Sequence, residues 1–261
     1  MAKKSVALFA TRSVGVRCLE ELLRLQGIGE VEVAAVRTLP PGAGGWWSRP
    51  GQPEVFDVAQ AAGVPVLQHD AELLDRPVDL AFSVFHPAIL KEPLISHPRQ
   101  GFVNLHGAPL PRYRGCNVVS HGLINGEKRW GPTLHFIDGG IDTGPVIRVG
   151  WFDVPAGMTA RRLAEATDEM GYQIFREELP GLLADTARAI PQERIIAEEG
   201  VQPLYHRRTS LQRLKELDPA WPLEQIDRYV RGLDFPPFEP AFFRLPDGRK
   251  LYLVAGEGRQ I

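Results

Sequence analysis

The stretch SVALFATRSVGVRCLEELLRLQGIGEVEVAAV (5–36) joins two apolar runs through a helical pattern. Residues 5–10 (SVALFA) and 31–36 (VEVAAV) are short and apolar, which predicts two buried strands. Between them the leucines lie on one helix face and predict a helix over about 15–25. A strand, a helix and a second strand in this order indicate parallel strands joined by a right-handed crossover.

The same alternation continues along the chain. Residues 79–85 (DLAFSVF) and 102–105 (FVNL) predict two further strands. The fold class expected is therefore α/β, a Rossmann-like, mostly parallel sheet with flanking helices, whose working loops follow the carboxyl ends of the strands. A long helix is predicted over 159–185, with Thr159 as its N-cap and Pro180 ending or kinking it.

The character of the sequence changes near residue 200. LQRLKEL and PLEQIDRYVRGL predict short helices, and FFRLPDGRKLYLV predicts a hairpin that turns at 246–248. We therefore expect a main domain over 1–200 and a small C-terminal appendage of helices and a β-hairpin over 201–261. The apolar face of the second short helix fits either packing within the chain or a dimer contact; its residues are Leu223, Ile226, Val230 and Leu233.

Composition excludes several classes of protein. The formal net charge of −2 and the pI of about 6.4 argue against a nucleic-acid binder, which usually carries a basic excess. No apolar run reaches the ~18 residues of a membrane span, and the start of the chain is typical of a strand rather than a signal peptide. Cys18 and Cys116 suggest neither a disulfide framework nor a zinc site. We expect a cytoplasmic protein with no membrane contact.

Two segments concentrate polar residues between apolar ones. In FVNLHGAPLPRYRGC (102–116), Asn104 and His106 are two apart on a predicted strand and share one face. In TLHFIDGGIDTGPVI (133–147), a strand leads to a glycine-rich turn that carries Asp142.

An amide, an imidazole and a carboxylate suit acyl transfer to an amine. The amide of Asn104 can stabilise an oxyanion, His106 can move a proton, and Asp142 can orient the imidazole. A structural histidine flanked by turn-forming residues fits the same spacing.

These segments resemble the folate-dependent formyltransferase family. The family pattern is Asn-x-His, then a Leu-Pro-x-aromatic-(Arg/Lys)-Gly loop, then Asp-x-Gly-(Ile/Leu/Val)-Asp-x-Gly. NLHGAPLPRYRG and FIDGGIDTGPVI match it, and the resemblance covers most of residues 5–185. It implies that residues 1–200 are a formyltransferase catalytic domain, with Asn104, His106 and Asp142 as its catalytic residues.

The resemblance also implies N10-formyltetrahydrofolate as formyl donor, with no metal. Its pterin would lie against residues 83–90 (SVFHPAIL) and the backbone of 138–142. The residues expected to bind it are Phe85, His86, Ile89, Leu90, Asp138 and Gly140. Ordinary core packing is the alternative for the apolar ones, and a structural turn is the alternative for Asp138.

Within the family, the loop at 104–115 and the run RGLDFPPFEPAFF are most similar to the sugar-nucleotide N-formyltransferases. The implied acceptor is a GDP- or dTDP-linked 4-amino-4,6-dideoxyhexose for surface polysaccharide such as the O-antigen of lipopolysaccharide, and the implied assembly is a homodimer. Arginines after strands can neutralise a pyrophosphate or lie solvated at the surface. The Pro/Gly-rich loop 40–53, with Trp46 and Trp47, is either a connector or a platform for a flat ring. The candidate acceptor-binding residues are Arg12, Ser13, Trp47, Arg112, Tyr113 and Arg114.

Other functions stay open. A methionyl-tRNA formyltransferase would be expected to have a longer C-terminal domain and a basic surface. A glycinamide ribonucleotide enzyme would be expected to end near residue 200. A ligand-binding relic of the fold would need an altered triad. A metal enzyme would use histidines that have no acidic partner at metal-motif spacing: His97, His106, His121 and His135.

Overall fold

A seven-stranded sheet forms the centre of the computed structural model, which describes residues 3–48 and 51–256. Short 3₁₀ helices occur at Asp70–Asp75 and Ser210–Leu214. The other elements follow in the order β1 (Lys4–Ala10), α1 (Arg12–Gly27), β2 (Val31–Arg37), α2 (Val55–Ala61), β3 (Val66–Leu67), β4 (Leu80–Val84), β5 (Phe102–His106), β6 (Tyr113–Gly115), α3 (Val118–Ile124), β7 (Arg129–Trp130), β8 (Thr133–Phe136), β9 (Val146–Val149), β10 (Phe152–Asp153), α4 (Ala160–Leu183), α5 (Gln192–Glu199), β11 (Leu204–His206), α6 (Leu223–Leu233), β12 (Ala241–Arg244) and β13 (Lys250–Leu253).

The strand order in the central sheet is β3-β2-β1-β4-β5-β8-β9. The first five of these strands run parallel, β8 runs antiparallel to β5, and β9 runs antiparallel to β8. The hairpin β12–β13 stands apart from this sheet. The predicted mostly parallel α/β fold with a C-terminal hairpin is confirmed.

Alternate residues of β1 enter two different cores, as the two-residue repeat of a strand requires. Leu8 packs with Leu19 of α1 and Phe175 of α4, whereas Phe9 packs with Leu73 on the opposite face. Burial of an apolar side chain of this size stabilises the folded state by about 1.5–3 kcal/mol. Both faces of the sheet therefore contribute to the stability of the fold. In the two described ranges, no helix is both long and apolar enough to cross a membrane.

Helix boundaries differ from the prediction at two places. Helix α1 begins at Arg12, directly after β1, so residues 12–15 form its first turn rather than a loop. Thr159 caps α4 as predicted, since its hydroxyl accepts a hydrogen bond from the Arg162 amide at 3.4 Å. Pro180 does not end that helix, which continues to Leu183 because Leu179 and Leu182 are buried in the main core.

The segment after residue 200 packs directly on the rest of the chain. Strand β11 runs parallel to β6, and α6 packs on α3 through Val230 and Leu233 against Ile124. Leu223 at the start of α6 is 84% exposed. Only Ser210–Leu214 of the predicted LQRLKEL region is helical, because Leu217 pairs instead with Phe242 of β12.

Gly122 of α3 has no room for a side chain, because a Cβ there would overlap the buried ring of Trp130. We expect Gly122→Ala to lower the free energy of unfolding by about 1–3 kcal/mol, the usual cost of overfilling a core. Gly181 of α4 is the matched control, since the nearest atom to a Cβ there is 3.8 Å away. Gly181→Ala should raise that free energy by up to about 1 kcal/mol. Urea unfolding measures both, and equal stability of the two variants would contradict this packing.

Candidate active site

Strands β5 and β8 bring the two polar segments together. They pair antiparallel, so that Asn104 lies opposite His135 and His106 lies opposite Thr133. Asp142 belongs to the loop that joins β8 to β9 and returns to this edge of the sheet. The sequence motifs at 102–116 and 133–147 therefore form one site.

Asn104 is oriented by His135. The Nδ1–H of His135 donates to the Phe136 carbonyl at 2.8 Å, which leaves Nε2 to accept from Asn104 Nδ2 at 3.0 Å. Burial lowers the pKa of His135 to about 4, against the opposing effect of the nearby Asp142 carboxylate. His135 is therefore neutral near pH 7, as an acceptor must be.

His106 and Asp142 face each other across the same space. His106 Nε2 donates to the Tyr113 carbonyl at 2.7 Å, and its Nδ1 lies 3.6 Å from Asp142 Oδ1. The other carboxylate oxygen accepts a hydrogen bond from the Gly115 amide at 2.8 Å. Asp142 Oδ1 also lies 3.7 Å from His135 Nε2. The Asp142 carboxylate thus faces His106 and His135, and His135 connects it to Asn104.

Three residues at this edge have a left-handed backbone, which residues other than glycine rarely adopt. They are Arg12, Phe85 and Asp142, with φ of 64°, 53° and 53°. Such conformations cost about 1–3 kcal/mol and persist only where neighbouring groups impose them. The Thr11 hydroxyl donates to the Phe85 carbonyl at 2.7 Å, and the Gly115 amide holds Asp142.

Phe85 and Ile89 lie where a flat ligand could reach them. The Phe85 ring packs 4.0 Å from the guanidinium of Arg12. A Cβ added at Gly107, next to His106, would meet the ring at 3.1 Å. Ile89 is 66% exposed. Phe85 therefore borders the end of the strand that carries Asn104, and Ile89 is accessible from solvent.

The side chains of His86 and Leu90 face the protein interior instead. His86 Nε2 lies 3.1 Å from Asp70 Oδ2, and Asp70 also accepts from Arg37 at 2.8 Å. Burial lowers the pKa of His86. Leu90 is buried in the core that includes Phe9. Leu90 thus takes the core position that the sequence left open as the alternative, and donor binding by His86 stays a prediction.

Asp138 shapes the turn that leads to Asp142. Its Oδ1 accepts hydrogen bonds from the Gly140 amide at 3.0 Å and the Thr143 hydroxyl at 2.5 Å. A Cβ at Gly140 would overlap Thr143. Asp138 is thus the structural turn residue that the sequence offered as one alternative, and Gly140 leaves the backbone accessible.

Arg12, Ser13 and Trp47 line one open cleft at the ends of β1 and β2, together with Thr38 and Glu54. The sequence predicted these three residues for the acceptor site without placing them side by side. Residues 49 and 50, in the same loop, lie outside the described ranges.

Arg12 lies within an aromatic cluster and is not a solvated surface residue. Its guanidinium is 4.9 Å from the Trp46 ring, and its Nη1 is 3.7 Å from Asp168 Oδ1. Burial lowers the pKa of Arg12 and raises the pKa of Asp168 to about 6. Trp46 also contacts Arg161 at 4.8 Å and the edge of Phe235 at 4.6 Å. The faces of Trp46 are therefore occupied by the protein itself, and Trp47 is the ring that lines the cleft.

The predicted acceptor-binding residues 112–114 have different surroundings. Tyr113 is fully buried and its hydroxyl donates to Glu127 at 2.7 Å, so its predicted role as a substrate-binding ring is wrong. It contributes its carbonyl to His106 instead. Arg112 pairs with Glu127 at 2.8 Å. Arg114 donates to Gln192 Oε1 at 3.1 and 2.6 Å.

Sequence reasoning missed the roles of His135 and Gln192. The sequence pattern suggests His135 only as a metal ligand. Within the described part of the chain, no group of three or more His, Cys, Asp or Glu could hold a metal ion. The antiparallel register that sets His135 against Asn104 has no local sequence signal. Gln192 is fully buried and donates to the carbonyls of Asp142 and Gly144, 50 and 48 residues away.

The chain belongs to the formyl transferase family, whose family model matches residues 3–179. It is an N-formyltransferase. It is 32% identical over 233 residues to the methionyl-tRNA formyltransferase of Sinorhizobium medicae, covering 86% of this chain and 72% of that protein.

Solved structures share the fold at lower identity. A 4-N formyltransferase from Francisella tularensis superposes with a TM-score of 0.77 at 15% identity, covering 98% of this chain and 100% of that one. An N-formyltransferase from Helicobacter canadensis, in complex with folinic acid and dTDP-3-aminofucose, gives 0.75 at 20% identity, covering 92% and 83%.

The low pKa of His135 predicts an acid-sensitive fold. The unfolded chain takes up a proton on this imidazole near pH 6.5, whereas the folded protein does so only near pH 4. The free energy of unfolding should therefore fall as pH decreases from about 6.5 to about 4, and His135→Gln should make that decrease shallower. Urea unfolding at several pH values measures both proteins, and identical slopes would contradict a buried neutral His135. Other buried groups such as Asp168 contribute equally to the pH dependence of both proteins, so the difference between the two slopes reports His135.

Proposed function

We propose that this N-formyltransferase takes its formyl group from N10-formyltetrahydrofolate and transfers it to the amine of a nucleotide-linked amino-dideoxy sugar. The observation that carries the proposal is the cluster of Asn104, His106 and Asp142 at the carboxyl edge of the parallel sheet. Its three functional groups match the needs of acyl transfer to an amine.

Each side chain has a distinct task in that reaction. When bound, the folate donor supplies a formyl carbon that an amine can attack. Asn104 Nδ2 donates to the oxygen that gains negative charge, with its direction fixed by His135. His106 Nε2 is committed to the Tyr113 carbonyl, so Nδ1 is the atom that receives the amine proton. Asp142 Oδ1, 3.6 Å away, stabilises the resulting charge. The bond between the formyl carbon and N10 of the donor then breaks, N10 leaves with the proton that His106 Nδ1 received, and His106 returns to its neutral form.

The residues at the end of β4 fit a folate. Phe85 offers a ring beside the end of the strand that carries Asn104, and Ile89, four residues further on, offers an exposed apolar side chain. The turn at 138–140 offers accessible backbone, because Gly140 has no side chain and Asp138 is used internally. Apolar walls with a few backbone polar groups are what ligand pockets of this kind require.

The likeness of the fold to sugar N-formyltransferases supports a sugar-nucleotide acceptor over a tRNA. The 4-N formyltransferase from Francisella tularensis matches this chain over 98% of one chain and 100% of the other.

The charge of the C-terminal segment points the same way. Residues 201–261 hold ten Lys and Arg against eight Asp and Glu. Six of those basic side chains have a carboxylate partner in the same segment: Lys215, Lys250, Arg228, Arg231, Arg244 and Arg249. A tRNA-binding face would instead direct unpaired basic residues at phosphates.

The cleft at the ends of β1 and β2 suits a nucleotide. Trp47 offers a ring for the base, and Ser13 offers a hydroxyl at the first turn of α1, where amides favour phosphates. Arg12 adds positive charge at the same cleft. Arg112 and Arg114 are held by Glu127 and Gln192, and we assign them to the loop more than to the ligand.

The proposal extends to the cellular setting. The product is a formylated sugar nucleotide for surface polysaccharide such as the O-antigen of lipopolysaccharide, made in the cytoplasm by a homodimer. Residues 1–200 form the catalytic domain and 201–261 the appendage, whose exposed hairpin residues Leu251 and Tyr252 are candidates for the dimer contact.

Removal of the three catalytic groups should abolish transfer without unfolding the protein. His106→Asn, Asn104→Ala and Asp142→Asn should each lower kcat at least ~100-fold, the usual range for a lost proton-transfer group or oxyanion donor. Circular dichroism and thermal unfolding control for the fold. Turnover of His106→Asn within a few-fold of the parent chain would refute the mechanism.

The acceptor is tested with a panel of amines and one donor. We expect formylation of a GDP- or dTDP-linked 4-amino-4,6-dideoxyhexose in the presence of N10-formyltetrahydrofolate, read by mass spectrometry as an added formyl group. The 3-amino sugars, UDP-linked sugars and initiator methionyl-tRNA complete the panel. Turnover of methionyl-tRNA alone would contradict the proposal, and preference for a 3-amino sugar would overturn the assigned position of the amine.

A further inference from the structure

Gln192 is a fully buried polar side chain that joins both motif loops. Its Nε2 donates to the Asp142 carbonyl at 2.9 Å and the Gly144 carbonyl at 2.8 Å. Its Oε1 accepts two hydrogen bonds from the Arg114 guanidinium, at 3.1 and 2.6 Å. All hydrogen-bonding capacity of the amide is thus directed at residues that flank the candidate active site.

Both ends of the Gln192 amide restrain the position of the Asp142 carboxylate, and we call this set of hydrogen bonds the clamp. On one side the amide fixes the backbone of residue 142, whose φ of 53° is unfavourable for an aspartate. On the other side it fixes Arg114, whose neighbour Gly115 donates its amide to Asp142 Oδ2. The backbone and the side chain of Asp142 are therefore held from two directions by one distant residue.

We infer that Gln192 is a positioning residue for formyl transfer, holding Asp142 at its distance from His106. This inference rests on the proposed function of the site. Gln192 acts through Asp142 and does not itself face the ligand, since it is fully buried. A displacement of about 1 Å at a reacting group can cost about 100-fold in rate, so a clamp of this kind has a large effect from a distance.

Only a glutamine meets both demands at this position. The amide nitrogen must donate to two carbonyl oxygens while the amide oxygen accepts from a guanidinium. A glutamate of the same shape would keep Arg114 but would direct an oxygen at two other oxygens. A methionine would fill the space and lose every hydrogen bond.

The test compares Gln192→Glu and Gln192→Met with Gln202→Met, a control at an exposed glutamine ten residues further on. We expect both Gln192 variants to lower kcat about 10- to 100-fold while KM for donor and acceptor changes less than about 3-fold. Amide hydrogen exchange over 138–144 should accelerate in both, and the control should behave as the parent chain. A rise in KM with kcat unchanged, or unchanged kcat and exchange, would overturn the inference.

A double-mutant cycle identifies the route of the effect. If Gln192 acts through Asp142, then Gln192→Met should lower single-turnover rates less than about 3-fold in an Asp142→Asn background. Fully additive losses would contradict that route. Hydrogen exchange separates this inference from the proposed function: a parent chain inactive on every amino sugar refutes the function, whereas unchanged exchange in the variants refutes the clamp.

Discussion

The position of the Asp142 carboxylate is the constraint on which the rest of the site depends. One oxygen accepts from the Gly115 amide and the other lies 3.6 Å from His106 Nδ1. These contacts require the loop after β5 and the loop after β8 to close on each other. The antiparallel pairing of β5 with β8 brings the loops near, and Gln192 joins them. Because residue 142 has a left-handed backbone, its place is imposed by these partners and not by local preference.

Backbone carbonyls decide where the protons of the site are. The Phe136 carbonyl accepts Nδ1–H of His135, so Nε2 of that ring receives the Asn104 amide. The Tyr113 carbonyl accepts Nε2–H of His106, so Nδ1 of that ring faces Asp142. The rigid sheet therefore fixes Asn104 Nδ2 as the hydrogen-bond donor to an oxyanion and His106 Nδ1 as the nitrogen that can accept a proton. Such preorganisation is the main source of catalysis in sites of this chemistry.

The sequence predicted the parallel sheet because β1, β2, β4 and β5 are short, mainly apolar runs, and the leucine pattern between β1 and β2 predicted α1. Two motifs also singled out Asn104, His106 and Asp142, which the structure places at one edge of the sheet, and their catalytic roles stay a prediction. The burial of the Tyr113 and His86 side chains was not predicted, because it depends on which face of a short segment meets the core. For Leu90 the sequence left core packing open. The role of Gln192 could not be predicted, since its partners lie 48 and 50 residues away and no repeat or spacing connects them.

The tautomers of the two histidines test the central claim that backbone carbonyls fix which nitrogen of His135 and of His106 carries a proton. Long-range ¹H–¹⁵N spectra of the seven imidazoles report which ring nitrogen carries the proton. At pH 7.5, with assignment by loss of one ring in His135→Gln and in His106→Asn, we predict a neutral His135 protonated at Nδ1 and a His106 that carries a proton on Nε2. A charged His135, or a His135 protonated at Nε2, would contradict the account, because Nε2 would then have no lone pair to accept from Asn104 Nδ2.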